Sequence, residues 1–331
     1  MGEASDDFLP PKRGFPLPTL PHFGGGGLAQ RASMTNATAP ISTTSDRSVA
    51  IGIALVLSSA VAWSTAGFFA RMVPIDIWVV VFWRGIFGGL SIAALAMIEK
   101  RRFGFDLKAA FSLAGIALIL ISATGKIAFL YALQNTSVAN VTVIYATLPF
   151  ITAILAWLWF REKAERRTLA GSLVAGAGVV VTVVGSTGLG GGHLLGDLAA
   201  LFMTFTMALM TVIMRRHREV PMLEAAAMSG ILAAIIAFPM ADPFTATLTE
   251  IGWLALFGIV TQGGGLGIYT MGARRLPSAQ AALLSASEVP MSPLWVWIFF
   301  QEVPAQETFI GGGLVLAAIL WNIGAELRKR P

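Results

Sequence analysis

From residue 50 to residue 326, ten stretches of roughly 20 mainly apolar residues follow one another, each cut off from the next by a charge cluster, a proline or a run of glycines. A helix rising about 1.5 Å per residue needs about that length to cross a hydrocarbon core about 30 Å thick. The pattern predicts membrane helices over 50 to 70, 75 to 98, 109 to 132, 137 to 160, 168 to 187, 194 to 215, 221 to 240, 250 to 272, 277 to 300 and 307 to 326. The seventh is the least regular, with Glu224 in its first turn and Pro239 at its end. Residues 1 to 47 break the pattern: Pro10, Pro11, Pro16, Pro18 and Pro21 precede Gly24 to Gly27 and a Ser/Thr-rich stretch to Ser45, which predicts a disordered tail. That tail has no continuous apolar run followed by a small-residue cleavage site, so no secretory signal peptide is expected. Met34 opens a polar lead-in and is an alternative start to Met1.

The second half of the series repeats the first. Ala139, Trp157, Phe160, Glu162, Thr168 and Gly171 recur 140 residues later as Ala279, Trp297, Phe300, Glu302, Thr308 and Gly311. Upstream the offset becomes 144, pairing Gly52 with Gly196, Leu57 with Leu201 and Arg71 with Arg215. Five crossings per copy is an odd number, so the second copy must lie upside down relative to the first. The expected organisation is a tail over 1 to 47, a first five-helix repeat over 48 to 190 and a second over 191 to 331.

Charge gives the series an orientation. With the N-terminus in the cytoplasm, the inner loops carry Lys100, Arg101, Arg102 and Lys108, then Arg161, Lys163, Arg166 and Arg167, then Arg215, Arg216 and Arg218, then Arg274 and Arg275. The C-terminal Arg328, Lys329 and Arg330 fall on the same side, and the outer loops hold only Arg71, as the positive-inside rule requires. Both termini are therefore expected in the cytoplasm. The loop from Arg161 to Arg167 has lost every basic residue in its counterpart from Gln301 to Glu307, as inverted copies demand.

Composition agrees and excludes other classes. Hydrophobic residues make up 56% and charged residues 12% of the 331, against about 45–50% and about 25% in soluble domains. The net charge of +5 sits in short clusters between apolar runs, so nucleic acid is not an expected partner. There is no cysteine, which removes disulfides, thiolate metal sites and thiol nucleophiles. No GxxxxGK[ST] loop is present for ATP, and His22, His193 and His217 all lie in the tail or loops, away from any intramembrane dyad or metal cluster. Neither enzymatic activity nor a cofactor or metal is expected.

Pro149 followed thirteen residues later by Glu162, the run Glu288-Val-Pro290-Met-Ser-Pro293-Leu-Trp-Val-Trp297 leading to Glu302, and Gly196-Asp197-Leu198 opening the second half together resemble the EamA-type transporters of the drug/metabolite transporter superfamily. The resemblance covers about residues 48 to 326. One departure is Pro290, which stands twelve residues before its Glu rather than thirteen. The resemblance implies an all-α membrane protein of ten transmembrane helices, with a substrate cavity between spans one to four and six to nine and spans five and ten bracing the periphery. It further implies a multi-pass protein of the bacterial inner membrane that exports small metabolites, amino acids or related compounds, or acts as a facilitator.

Charge at membrane depth is costly, which singles out Arg84 in span two, Lys126 in span three and Glu288 in span nine. None has a charged equivalent in the other repeat. They are candidates for substrate binding or gating; the alternative is a packing clamp in which Arg84 or Lys126 pairs with Glu288 or helix carbonyls, or in which Lys126 snorkels to the interface. Thr142, Tyr145, Pro149 and Thr152 share one face of span four, as Ser285, Glu288 and Ser292 do in span nine. Two repeat-related polar stripes suggest one cavity; Ser and Thr bonds between helices are the other reading. Gly258, Gln262, Gly265 and Tyr269 align in span eight, around Gly263 to Gly265, and Ser59, Trp63 and Gly67 in span one. Trp157, Trp159, Trp295 and Trp297 are expected in interfacial belts. Gly171, Gly176 and Gly178, like Gly311 to Gly313, suit close packing within the chain or a homodimer.

The leading function is a secondary transporter working by alternating access at a midplane cavity between the repeats, with a small-molecule substrate and the lipid bilayer as partners. Glu288 is the candidate for proton coupling, and Arg84 with Lys126 favours a substrate bearing a carboxylate. A channel-like facilitator and a non-transporting membrane scaffold are the alternatives.

Overall fold

The computed structural model describes residues 43 to 103, 110 to 161, 166 to 187, 193 to 217, 219 to 276, 281 and 284 to 327. The chain divides at Ser42, and the unit beginning at Thr43 is helical throughout its described regular structure. All but the last five residues of the expected tail, and Glu162 of the first helix-end motif, lie outside the described residues.

The helices are α1 (Thr43–Ser64), α2 (Ala66–Met72), α3 (Ile77–Phe103), α4 (Leu113–Asn135), α5 (Val138–Tyr145), α6 (Leu148–Phe160), α7 (Arg166–Thr187), α8 (Leu194–Arg216) and α9 (Met222–Ala237). They continue with α10 (Leu248–Gly258), a π segment (Ile259–Gly264), α11 (Gly265–Ala273), α12 (Glu288–Phe300) and α13 (Gln306–Leu327). Among the described residues, six stretches are long and apolar enough to cross a membrane: Ser48–Met72, Ile77–Ile98, Leu113–Asn135, Val138–Phe160, Leu194–Arg216 and Leu248–Ala273. Two shorter apolar helices, Leu169–Gly185 and Met222–Ala237, stand where spans five and seven are expected. The latter starts after Pro221 and stops before Pro239, so its 16 residues are bounded by two positions that cannot donate to a helix.

Local chemistry sets the joints. Ser112 and Ser137 each turn a hydroxyl onto a first-turn amide, 3.1 Å from Gly115 N and 3.1 Å from Asn140 N, which starts α4 and α5. Thr247 and Glu250 form a reciprocal capping box at the start of α10. Within the fourth span the helix breaks at Ala146 and Thr147, just before Pro149, and 140 residues later a turn at Ala286 and Ser287 precedes Pro290. A proline ring displaces the carbonyl four residues earlier and offers no N–H, so each break falls where the sequence removes a rung. Thr147 and Ser287 donate back to Ile144 O at 2.6 Å and Leu284 O at 2.7 Å. Each following helix ends on a left-handed residue, Arg161 at φ 52° and Gln301 at φ 56°. Breaks, hydroxyls and left-handed caps all keep the 140-residue spacing.

Packing repeats it as well. Membrane helices gain little from expelling water, so close backbone approach must supply the contact. A Cβ on Gly85 would stand 2.7 Å from Gly230 O, and one on Gly230 would stand 3.1 Å from Gly85 O, so α3 and α9 cross in a reciprocal way. Gly178 of α7 and Gly311 of α13 face each other's carbonyls similarly. Gly52 packs on Arg275 and Leu276, and its counterpart Gly196 on Asn135 and Thr136. Each half thus closes on the equivalent turn of the other. Of the glycines considered for a homodimer, Gly178 and Gly311 are already used inside the chain.

Candidate functional site

Arg84 is 6% exposed and lies on the face of α3 that meets the π segment. Its guanidinium sits over Phe257 at 4.4 Å and Phe129 at 5.7 Å from the ring centroids, and its Nη2 donates to Thr261 Oγ1 at 3.3 Å. Ring faces attract a cation and restrain the plane of the fork. Gln262, 7% exposed, donates from Nε2 to Arg84 O at 3.3 Å. The approach depends on glycine: a Cβ on Gly258 would come within 2.7 Å of Gly88 N, and one on Gly88 would strike the Gln262 amide. Arg84 Nε and Gln262 Oε1 are buried and have no hydrogen-bond partner among the described residues.

Lys126 does not snorkel. Its Nζ turns into the protein, donating to Ala226 O at 2.8 Å and Ser229 Oγ at 2.7 Å on α9. It lies within electrostatic range of Arg84. Neither cation is bonded to Glu288 among the described contacts, but Lys126 does pair with a helix carbonyl, Ala226 O, which is the other form of the packing clamp.

A second group gathers around Glu288, the first residue of α12. Tyr145, at the end of α5, and Tyr269, on α11, both lie within electrostatic range of its carboxyl. Trp63 packs its ring on Tyr269 with centroids 5.3 Å apart, and Gly265 makes room for its indole. Ser292 is buried and donates to Glu288 O at 3.0 Å, one turn on. Ser285 lies three residues before Glu288, ahead of the break, and is partly buried.

The stripe expected on span four does not face one cavity: the break at Ala146 and Thr147 takes Pro149 and Thr152 out of register with α5, and Thr142 and Tyr145, both on α5, meet different neighbours. Tyr145 joins the Glu288 group, whereas Thr142 lines a different, apolar pocket and spends its hydroxyl on Ala139 O at 2.8 Å. Pro149 is exposed and Thr152 bonds back to Leu148 O at 2.8 Å. Trp295 also departs from the expected belt: its Nε1 donates inward to Ser64 Oγ at 2.9 Å. Trp157, Trp159 and Trp297 are half exposed, as belt residues should be.

One cluster escaped the sequence reading. Arg71 pairs with Glu302 at 2.8 Å through Nε, donates from Nη2 to Thr136 O at 2.9 Å, and also bonds Leu133 O. Those carbonyls end α4, whose dipole favours a cation there. The other Glu302 oxygen accepts from Val138 N at 2.9 Å, where α5 begins and an anion is favoured. Beside them, Asp197 is 1% exposed and accepts from Thr136 Oγ1 at 2.7 Å and Asn140 Nδ2 at 3.2 Å, and Thr308 donates to Asn140 Oδ1 at 2.6 Å. This end of the bundle is tied shut by residues from both halves. The acidic residue of Gly196-Asp197-Leu198, inside an expected span, was the available signal.

Two crossed halves, helices broken in equivalent places and buried charged groups between them define a polytopic helical bundle, six of whose described stretches are long and apolar enough to cross a membrane. The chain belongs to the EamA-like transporter family, whose model matches residues 50–184 and again 194–324. It is similar to solute carrier family 35 member G1 of Homo sapiens, 28% identical over 65% of this chain and 63% of that protein. The Mus musculus protein of the same name is 26% identical over 63% of this chain and 60% of its own length. The match thus spans less than two thirds of either relative. A solved crystal structure of another protein shares the fold, with a TM-score of 0.56 at 17% identity over 86% of this chain and 98% of that one.

Proposed function

We propose that the chain is a secondary transporter that exports small metabolites, amino acids or related compounds, by alternating access at a cavity between its two halves. In this reading the chain makes ten crossings as two inverted repeats with both termini in the cytoplasm, which the loop charges support. The observation that carries it is that two of the three leftover buried side-chain atoms among the described residues, Arg84 Nε, a donor, and Gln262 Oε1, an acceptor, lie together at the seam, the third being Asp197 Oδ2 at the Arg71 end. Leaving such groups unmet costs about 1–3 kcal/mol each or more, a cost that a ligand offering both an anionic acceptor and a donor would relieve. A carboxylate beside an amino group has that chemistry. Trp63, Tyr145, Tyr269 and Glu288, with Ser285 and Ser292, form the other wall.

The bonded Arg71 end supports a carrier over an open channel, since transport past it requires the Arg71 to Glu302 pair to part. Protons are the proposed coupling ion, with Glu288 as their carrier. A homodimer would use the outer face of α7, where Gly176 meets open space. The proposed location is the bacterial inner membrane. The test is a thermal-shift screen of purified protein against amino acids, nucleosides and amphipathic cations, followed by liposome uptake and counterflow of the hits. Saturable counterflow of an amino acid is expected; no shift and no flux with any class overturns the reading.

A further inference from the structure

Apart from Arg84 and Gln262, a pocket of about 600 Å³ opens between α5 of the first half and α12 and α13 of the second. Its walls are almost wholly carbon, from Val143, Val289, Pro293, Leu294, Trp297 and Phe309 among others. Two hydroxyls reach it, and both donate elsewhere: Thr142 to Ala139 O at 2.8 Å and Thr308 to Asn140 Oδ1 at 2.6 Å. A polar ligand would therefore find no spare donor on these two side chains. Leu294, Trp297 and Phe309 are 47%, 49% and 64% exposed, so the mouth is continuous with the apolar surface that the bilayer covers. The volume lies within the range of about 300–1,000 Å³ typical of sites for single small molecules.

We propose that this pocket binds one acyl chain of a bilayer phospholipid, as a site distinct from the substrate cavity. Hydrocarbon is the solvent at its mouth, and a carbon-lined pocket whose two hydroxyls are already bonded accepts it with little desolvation of polar groups. The position matters because Ala146 and Val289 line it, and these residues adjoin the two helix breaks. A chain seated there touches both hinges at once and fills the space they would move through.

Glycine supplies the test. Gly313 lines the pocket, and a Cβ on it would meet nothing within 4 Å, so a larger side chain can fill the space without a clash at its base. Gly176 on α7 is equally open but lies outside the pocket. The full chain in nanodiscs of phosphatidylcholine carrying a diazirine in its acyl chain is photolysed, and the adducts are mapped by mass spectrometry. Adducts should concentrate on Val289 to Trp297 and Thr308 to Leu316, at least about threefold above other bilayer-facing segments. Gly313→Leu should remove that excess while Gly176→Leu retains it, both variants keeping the melting temperature of the parent within a few degrees. Uniform labelling along the exposed helices, an excess that survives Gly313→Leu, or its loss in both variants would overturn the proposal. So would labelling of the pocket by a photoreactive amphipathic cation in preference to the lipid. The outcome is independent of which metabolite, if any, is transported.

Discussion

Replacing Glu302 by Gln removes one charge from the tied end while keeping the shape of the side chain. Glu302 accepts two charge-assisted hydrogen bonds, from Arg71 Nε at 2.8 Å and Val138 N at 2.9 Å. Bonds of that type contribute about 1.5–3 kcal/mol each. The side chains of Arg71 and Glu302 are only 25% and 22% exposed, which places the pair nearer to the buried case, where breaking one partner costs about 3–5 kcal/mol, than to the surface case of about 0–1 kcal/mol. Gln can still accept from Val138 N, so Glu302→Gln should cost about 2 kcal/mol, the Arg71 share. A double-mutant cycle with Arg71→Met isolates that share, because the uncapped carbonyls of Leu133 and Thr136 contribute equally to both arms that contain Met. Stability read by SDS titration of the four proteins should give a coupling energy of about 1.5–2 kcal/mol. A coupling below about 0.5 kcal/mol, the value of an exposed pair, would refute the claim that these residues tie the two halves together.

Three further outcomes follow from the packing. Arg84→Lys keeps the charge but loses the planar fork over Phe257, so affinity for a carboxylate ligand should fall at least about tenfold in a thermal-shift titration, with the ligand-free stability changed by about 1 kcal/mol or less. Gly85→Val puts a Cβ against the backbone of Gly230, which cannot give way, and should destabilise by at least about 2 kcal/mol in SDS titration, whereas Gly176→Val should change stability by about half that or less. Glu288→Gln should abolish proton-driven uptake into liposomes while leaving counterflow intact; equal retention of both would remove Glu288 from coupling.

Much of the architecture was legible because duplication writes itself twice. The left-handed caps at Arg161 and Gln301, the breaks before Pro149 and Pro290, and the turns that receive Gly52 and Gly196 keep the offsets of 140 and 144 visible in the residues. Side-chain partners were less legible, because helical periodicity assumes an unbroken helix. The break at Ala146 and Thr147 takes Pro149 and Thr152 out of register with Thr142 and Tyr145, and within α5 itself Thr142 lines the apolar pocket while Tyr145 lies near Glu288, a divergence that periodicity does not encode. The tied end was hidden for a different reason. Arg71 reads as the lone basic residue of the outer loops, Glu302 as half of a helix-end motif, and Asp197 as a helix-start residue. Each has an ordinary local explanation, and their relation spans up to 231 positions in sequence. What joins them is the need of the two-residue turn between α4 and α5 to satisfy carbonyls on one side and an amide on the other. Here opposite charges from elsewhere in the chain meet that need, so the closure of this end is tied to where α4 stops and α5 begins.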